Sequence, residues 1–366
     1  MTAKLATMQA ELALQDRLLP GVSRTFALTI PELPGMLRTA VTNAYLLCRI
    51  ADTIEDDPRL DVDRKTAFHA DFVAVVEGDL EAADLVRRLA PVLEGSTPPE
   101  EVELVRELPA IIRVTEALPE LSRRALRRCI RVMCQGMPGF QRETSVRGLP
   151  SVEDLERYCY YVAGCVGEML TELFCEHNGQ VSTRRSELMR LAVSFGQGLQ
   201  MTNILKDFWE DRTRAACWLP RSVFEAEGMD LADAEAPHNR QRFSQAMTRL
   251  VAIAHACLRD AIDYVKLIPR SETGIRRFCL WAIGLAVLTL RNIRNRPDYM
   301  TGADVKVSRR MLKATVLSAN AVARSNSGVT ALFELAAAGL PLDDEYVARL
   351  TRELERETLP AGTVDG

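Results

Sequence analysis

SELMRLAVSFGQGLQMTNILKDFWED, residues 186–211, decides how the chain is read. Its apolar residues recur at i, i+3, i+4 and i+7, the stripe of an amphipathic helix. Its end places Asp207 and Asp211 at i and i+4, on one helix face and one turn apart. MLRTAVTNAYLLCRIADTIED, residues 36–56, repeats the plan and ends in Asp52 and Asp56. Like charges at this spacing oppose the helix by roughly 0.2–0.5 kcal/mol. The helix C-terminus adds its own partial negative charge, so carboxylates there want a cation nearby.

Helical periodicity extends over the rest of the chain. No sustained period-two alternation occurs, and no Asn-Gly or Asp-Gly turn joins strand-like runs. Neither GxGxxG nor GxxxxGK[ST] is present, which removes the two common nucleotide loops. Pro31 and Pro34-Gly35 separate a short early helix from the one at 36–56, and Thr97-Pro98-Pro99 opens another. Gly136 to Pro150 reads as a loop, and Ser151 with Asp154 reads as a capping box variant. Leu219-Pro220 ends the second acidic region, and residues 358–366 read as a disordered tail. No biased linker and no internal repeat divides the sequence. The expectation is one all-α domain over 1–366, with a core at 20–340 and a C-terminal helix and tail at 341–366.

Composition narrows the function. With 366 residues and 47% hydrophobic content the chain can build a large core, and a net charge of −4 points away from nucleic acid. The amphipathic, mixed-charge N-terminus is unlike a secretory signal. The longest apolar run, Leu280 to Leu290, falls short of the ~20 residues a spanning helix needs. A soluble cytoplasmic protein, at most peripheral to a membrane, is expected. Nine cysteines without a CxxC pair read as buried, reduced thiols, and histidines 69, 177, 238 and 255 have no metal-ligand spacing.

Paired carboxylates with few other dedicated ligands suit Mg²⁺, which keeps several waters and bridges carboxylates to substrate phosphates. Such ions would neutralise a leaving diphosphate. The alternative is two solvated acidic faces. Arg49, Lys206, Arg212 and Arg214 flank the clusters, and Ser23-Arg24-Thr25-Phe26 sits at a helix start that favours anions. These cations are either diphosphate ligands or counter-charges to the aspartates. In the segment 158–167, Tyr158 and Tyr161 share a face, and Gly164 and Gly167 allow a close approach by a helix or ligand. The tyrosines could orient a carbocation and move a proton, or could serve as core packing.

Five segments in order, SRTF (23–26), RIADTIEDD (49–57), YCYYVAGCVG (158–167), LQMTNILKDFWED (199–211) and FCLWAIGLAVLTL (278–290), resemble the squalene and phytoene synthase family, most closely its squalene-forming members. The resemblance covers about Ser23 to Ala323. It implies an isoprenoid-synthase-type helical bundle around a central cavity, with Mg²⁺ or Mn²⁺ at its mouth. It implies a prenyltransferase that joins two farnesyl diphosphates to presqualene diphosphate, then ionises, rearranges and reduces that intermediate with NADPH to squalene. Carried over, Asp52, Asp56, Asp207 and Asp211 hold metal, and Tyr158 serves proton removal. Ser23, Arg24, Arg49, Lys206, Arg212 and Gln200 surround the diphosphates. Asn203, Lys306, Arg309 and Arg310 fall to the reductant, the last three resembling a basic flap suited to a 2′-phosphate. Phe278 and Cys279 fall to the pocket of the second half-reaction.

Two departures stand out. Lys206 and Ala216 occupy positions where family members commonly carry arginine. The C-terminal anchor of eukaryotic members has no counterpart, so membrane contact is expected through a peripheral apolar surface. The alternatives are a non-reductive synthase stopping at dehydrosqualene, phytoene or presqualene diphosphate, and a non-catalytic helical scaffold.

Overall fold

Proline and glycine place many of the helix boundaries. The structure, a computed structural model, describes residues 8–356 except Arg24 and Thr144. Among them the secondary structure is helical, apart from one isolated bridge between Leu149 and Pro220. Helix α1 is Gln9–Val22 and the single turn α2 is Phe26–Thr29. After Pro34 the chain enters α3, Gly35–Asp56, whose last turns carry the first acidic motif. Helix α4, Val62–Glu77, is capped by Asp61 and ends at Gly78, whose φ of 93° suits glycine. Helices α5 (Ala82–Leu93), α6 (Pro99–Arg106) and α7 (Leu108–Ala117) complete the N-terminal part, α6 starting at the Pro-Pro pair as expected.

Helix α8, Glu120–Glu143, corrects one expectation, for it runs through Gly136, Pro138 and Gly139, where the sequence predicts a loop. A helix-interior proline costs about 3 kcal/mol. Burial of Cys129, Ile130, Met133, Cys134 and Met137 on one stripe offsets it, at roughly 1.5–3 kcal/mol for each large side chain. Gly136 marks a close approach: a Cβ there would lie 2.1 Å from the Tyr161 ring.

The capping box at Ser151 and Asp154 opens α9, Val152–Cys159, with each side chain bonded to the other's backbone. Tyr160–Gly164 then forms a π-helical turn, and α10 continues as Cys165–His177. The inserted residue widens the helix where the tyrosines cluster, yet Tyr158 and Tyr161 both meet Phe140, at 5.4 and 6.0 Å. After α11 (Gly179–Ser182), α12 spans Arg185–Thr213 and packs on α10 and the π turn. The contact at Gly167 is closed to any side chain, because a Cβ would sit 2.2 Å from the Ala192 carbonyl.

Helix α13 is Arg221–Ala226, α14 is Arg240–Leu267 and α15 is Thr273–Asn295; α14 and α15 both pack on α12. By length and composition α15 could cross a membrane, which the eleven-residue apolar run alone did not suggest. In the bundle it is a core helix, with 61% of its most apolar window buried. Its Arg276 is fully buried and donates to Val265 O and Ile268 O at 2.8 Å, to Asn326 Oδ1 at 2.9 Å and to Ala323 O. That side chain ties the end of α14 to the turn between α17 (Arg309–Val322) and α18 (Asn326–Ala337), which follow the short α16 (Gly302–Val305). Helix α19, Asp344–Arg356, packs back on α14, and the tail beyond it lies outside the described residues. All nine cysteines are buried and free.

Candidate active site

Helices α3, α10, α12 and α15, with the π turn, surround a cavity of about 580 Å³. Its depth is aromatic and apolar, with Phe174, Phe195, Tyr264 and Phe278 among its walls. Its mouth is ionic. Asp52, Glu55 and Asp56 come from the end of α3, and Asp207, Glu210 and Asp211 from the end of α12. Partial exposure of Asp56 (54%) and Asp207 (41%) marks this end as the opening.

Burial is the main electrostatic influence on these carboxyls. It pushes Asp52 up to about 7, although 30% of that side chain still faces the cavity. Glu55 is pushed up to about 8 against a 3.0 Å hydrogen bond from Gln141 Nε2, and Asp211 to about 6. Asp56 and Asp207 are raised for the same reason. Neighbouring cations work against the shifts. Asp57 differs: burial is opposed there by hydrogen bonds from Ser96 and Thr97, which hold it below the usual carboxylate range. It braces a loop and does not line the cavity.

The cations are placed in pairs with the acids. Arg49 donates to Glu101 at 2.5 Å and lies 3.9 Å from Asp52, while Thr53 also holds Glu101. Lys206 is 3.0 Å from Asp207. Arg214 is 2.6 Å from Asp211 and 3.8 Å from Asp56, so one guanidinium reaches both motifs across the mouth. Tyr158 is buried and lines the cavity, with its ring stacked on Trp218 at 4.1 Å and an interplanar angle of 4°. Burial, then Glu55 and Asp56, raise its phenol well above the ordinary value, so it stays protonated.

The cavity gathers Arg49, Asp52, Asp56, Tyr158, Gln200, Asn203, Lys206, Asp207, Asp211, Phe278 and Cys279. Other anticipated residues stand elsewhere. Ser23 accepts a 2.9 Å hydrogen bond from Phe26 N, the first residue of α2, and Arg24 lies outside the described residues. Arg212 is not brought to the mouth as expected. Its guanidinium donates to the carbonyls of Val146, Leu231 and Ala232, since the end of α12 turns it toward the 231–232 segment. Lys306, Arg309 and Arg310 are exposed and outside the cavity wall. They follow α16, which Gly302 N anchors to Glu210 Oε1 at 2.7 Å.

Sequence reading passed over Glu55, Glu210, Glu101 and Trp218. A signal for the first two existed, because both motifs share the spacing D-x-x-E-D. Glu101 and Trp218 arrive by tertiary contact and left none. Among the described residues no three His, Cys, Asp or Glu side chains converge into a ready-made metal cage. The site instead offers separated carboxylates on two walls, which suits a hard cation completed by diphosphate oxygens and water.

Comparison with known proteins agrees with this geometry. Residues 19–311 match the family Squalene/phytoene synthase. Squalene synthase ERG9 of Candida albicans is 30% identical over 318 residues, 85% of this chain and 67% of that protein. Squalene synthase of Schizosaccharomyces pombe is 27% identical over 285 residues, 77% of this chain and 59% of that protein. The chain thus spans about three-fifths to two-thirds of their length. Among solved structures, TcSQS in complex with BPH1237 has a TM-score of 0.77 at 22% identity, covering 95% of this chain and 98% of that chain. A dehydrosqualene synthase in complex with ligand has a TM-score of 0.60 at 21% identity, covering 88% and 99%. Those two likenesses speak to the fold, an isoprenoid-synthase helical bundle. From the family match over most of its length, this chain belongs to the squalene/phytoene synthase family.

Proposed function

We propose that this enzyme is a prenyltransferase of the squalene synthase type, condensing two farnesyl diphosphates to presqualene diphosphate and reducing that with NADPH to squalene. The observation that carries the reading is the pair of D-x-x-E-D sets facing each other over an aromatic cavity, close enough for Arg214 to reach both. A scaffold has no use for carboxylates driven to about 7 and about 8 by burial. Residues 20–340 form the catalytic core of one domain, and the enzyme works in the cytoplasm.

Asp52, Asp56, Asp207 and Asp211 would hold Mg²⁺, with Mn²⁺ able to replace it. When bound, the metal supplies positive charge to a leaving diphosphate. Arg49, Lys206 and Arg214 now pair with the acids and would pass to diphosphate oxygens as substrate enters. Gln200 lies in the same wall. Arg214 stands in for the arginine absent at Ala216. The aromatic walls face an allylic cation with their π surfaces and exclude water from it. Forming the cyclopropane releases one proton. Because the Tyr158 phenol is protonated, it can take that proton only by passing its own to a neighbouring oxygen, with Glu55 and Asp56 close enough to perturb it. Phe278 and Cys279 border the product of that step. Lys306, Arg309 and Arg310 would hold the NADPH 2′-phosphate, and Asn203, in the cavity wall, would add a polar contact to the reductant.

A second reading has specific support. Ala216 lacks the usual cation, and Lys306, Arg309 and Arg310 stand outside the cavity wall. Both favour an enzyme that stops at presqualene diphosphate or a non-reduced product. Product analysis with purified protein, farnesyl diphosphate and Mg²⁺, with and without NADPH, separates the two. Squalene formed only with NADPH supports the first reading; presqualene diphosphate or dehydrosqualene regardless of reductant supports the second.

A further inference from the structure

Helix α15 is a wall between two apolar spaces. Phe278, Cys279 and Ala282 face the catalytic cavity. Leu280, Ile283, Gly284 and Val287 face a separate groove of about 250 Å³, closed on its other sides by α17 and α18. Met311 and Leu335 stand in that groove and are also exposed, so its apolar lining continues onto the molecular surface. Leu335 and Leu317, the latter on α17, are the most exposed large hydrophobic side chains among the described residues, at 71% and 70%.

The charge on α17 and its flanks is one-sided, and Glu334, the acid beside Leu335 on α18, is paired with Arg259 at 3.7 Å. From 305 to 333 the sequence has five cations, Lys306, Arg309, Arg310, Lys313 and Arg324, and no acid, in a chain of net charge −4. All five are exposed. Lys313 and Arg324 have no part in the proposed reaction, and a single phosphate would not need five cations. Scattered exposed leucines are ordinary, but an exposed apolar groove beside an acid-free basic helix is complementary to one kind of surface. Anionic headgroups attract the cations while acyl chains accept the leucines.

We propose that α17 and α18 dock this enzyme on an anionic lipid bilayer, with the groove open to an acyl chain. The inference deepens the proposed function, on which it rests for its purpose: a hydrocarbon product released one helix away needs a lipid sink. The surface itself stands on exposure and charge alone.

The test is co-sedimentation of the full chain with vesicles of phosphatidylcholine containing phosphatidylglycerol, against phosphatidylcholine alone. Preferential binding to the anionic vesicles, weakened by salt, is expected. Replacing Leu317→Glu together with Leu335→Glu lowers the partition coefficient at least about tenfold. Lys313→Gln lowers it roughly fivefold, as for one cation near an anionic surface. Equal binding to both vesicles, no binding, or binding unmoved by these variants overturns the proposal. So does light scattering that shows a dimer broken by the leucine variants, which would make this face a contact between two copies. Turnover of farnesyl diphosphate in detergent is measured in parallel and stays at the wild-type level in all variants. If wild-type protein binds vesicles as expected but turns over no substrate, the functional reading fails and the docking surface stands.

Discussion

Both D-x-x-E-D sets sit on the last turns of their helices, and each keeps one aspartate open at the mouth, Asp56 at 54% and Asp207 at 41%, yet burial weighs more heavily on the acids at 52–56 than on those at 207–211. Burial drives Asp52 to about 7 and Glu55 to about 8, but Asp211 only to about 6. The cations differ too. Arg49 is pinned by Glu101 from α6, while Arg214 lies just beyond the last turn of α12. After it the chain turns at Ala215, whose φ of 57° is uncommon for a residue with a Cβ. One motif therefore has a pinned cation and two strongly raised acids, and the other has less strongly raised acids served by a terminal arginine. The same five-residue pattern yields two electrostatic settings because depth in the bundle, not sequence, decides the solvation of each acid.

The comparison breaks first if either motif is dispensable. Asp52→Asn and Asp207→Asn are each expected to reduce turnover at least about 10³-fold, with an unchanged helical circular dichroism spectrum. Near-normal activity in one of them would leave a single working motif. Next in size is Tyr158→Phe, expected to slow presqualene diphosphate formation about 10²-fold. Conversion of supplied presqualene diphosphate should change far less. Equal loss in both steps would make the tyrosine a packing residue for Trp218.

The two arginines that follow Asp211 sharpen the contrast. Arg214→Gln should raise the KM for farnesyl diphosphate by about tenfold, a factor that corresponds to one charge-assisted hydrogen bond. Arg212→Gln should leave kinetics alone and lower stability by about 1–3 kcal/mol through the carbonyls it abandons, read as a shift in chemical denaturation. The reverse pattern would exchange their roles. The smallest effect is on pH dependence. Asp52, Glu55 and Asp211 have folded pKa values above their unfolded ones, so each binds its proton more tightly in the folded state. Their contribution to stability is complete below the unfolded values and is lost as pH rises from there up to the folded values of about 6 to about 8. Metal-free protein in chelator should thus show a melting temperature that falls over that window. Mg²⁺, which favours the ionised acids, should reduce the fall.

Much of this was legible in the sequence where local periodicity determines geometry. Helical spacing fixes Asp52 with Asp56, and Asp207 with Asp211, on common faces, and Ser151 with Asp154 announced the start of α9. Pro138 misled because a proline signal is local, while the buried stripe of α8 that overrides it is a tertiary effect. Arg212 and Arg214 are indistinguishable as residue types. Only the end of α12 sends one toward neighbouring carbonyls and the other across the mouth. Trp218 and Glu101 reach the site through contacts far apart in sequence, which no pattern in 199–211 or 49–57 encodes.

The most direct test of two opposed motifs acting together is calorimetric binding of a farnesyl diphosphate analogue whose carbon–sulfur bond resists ionisation. The account predicts two equivalents bound in Mg²⁺, binding lost in chelator, and at most one equivalent retained by Asp52→Asn or by Asp207→Asn. Two equivalents bound with equal affinity in chelator, or by both variants, would contradict it.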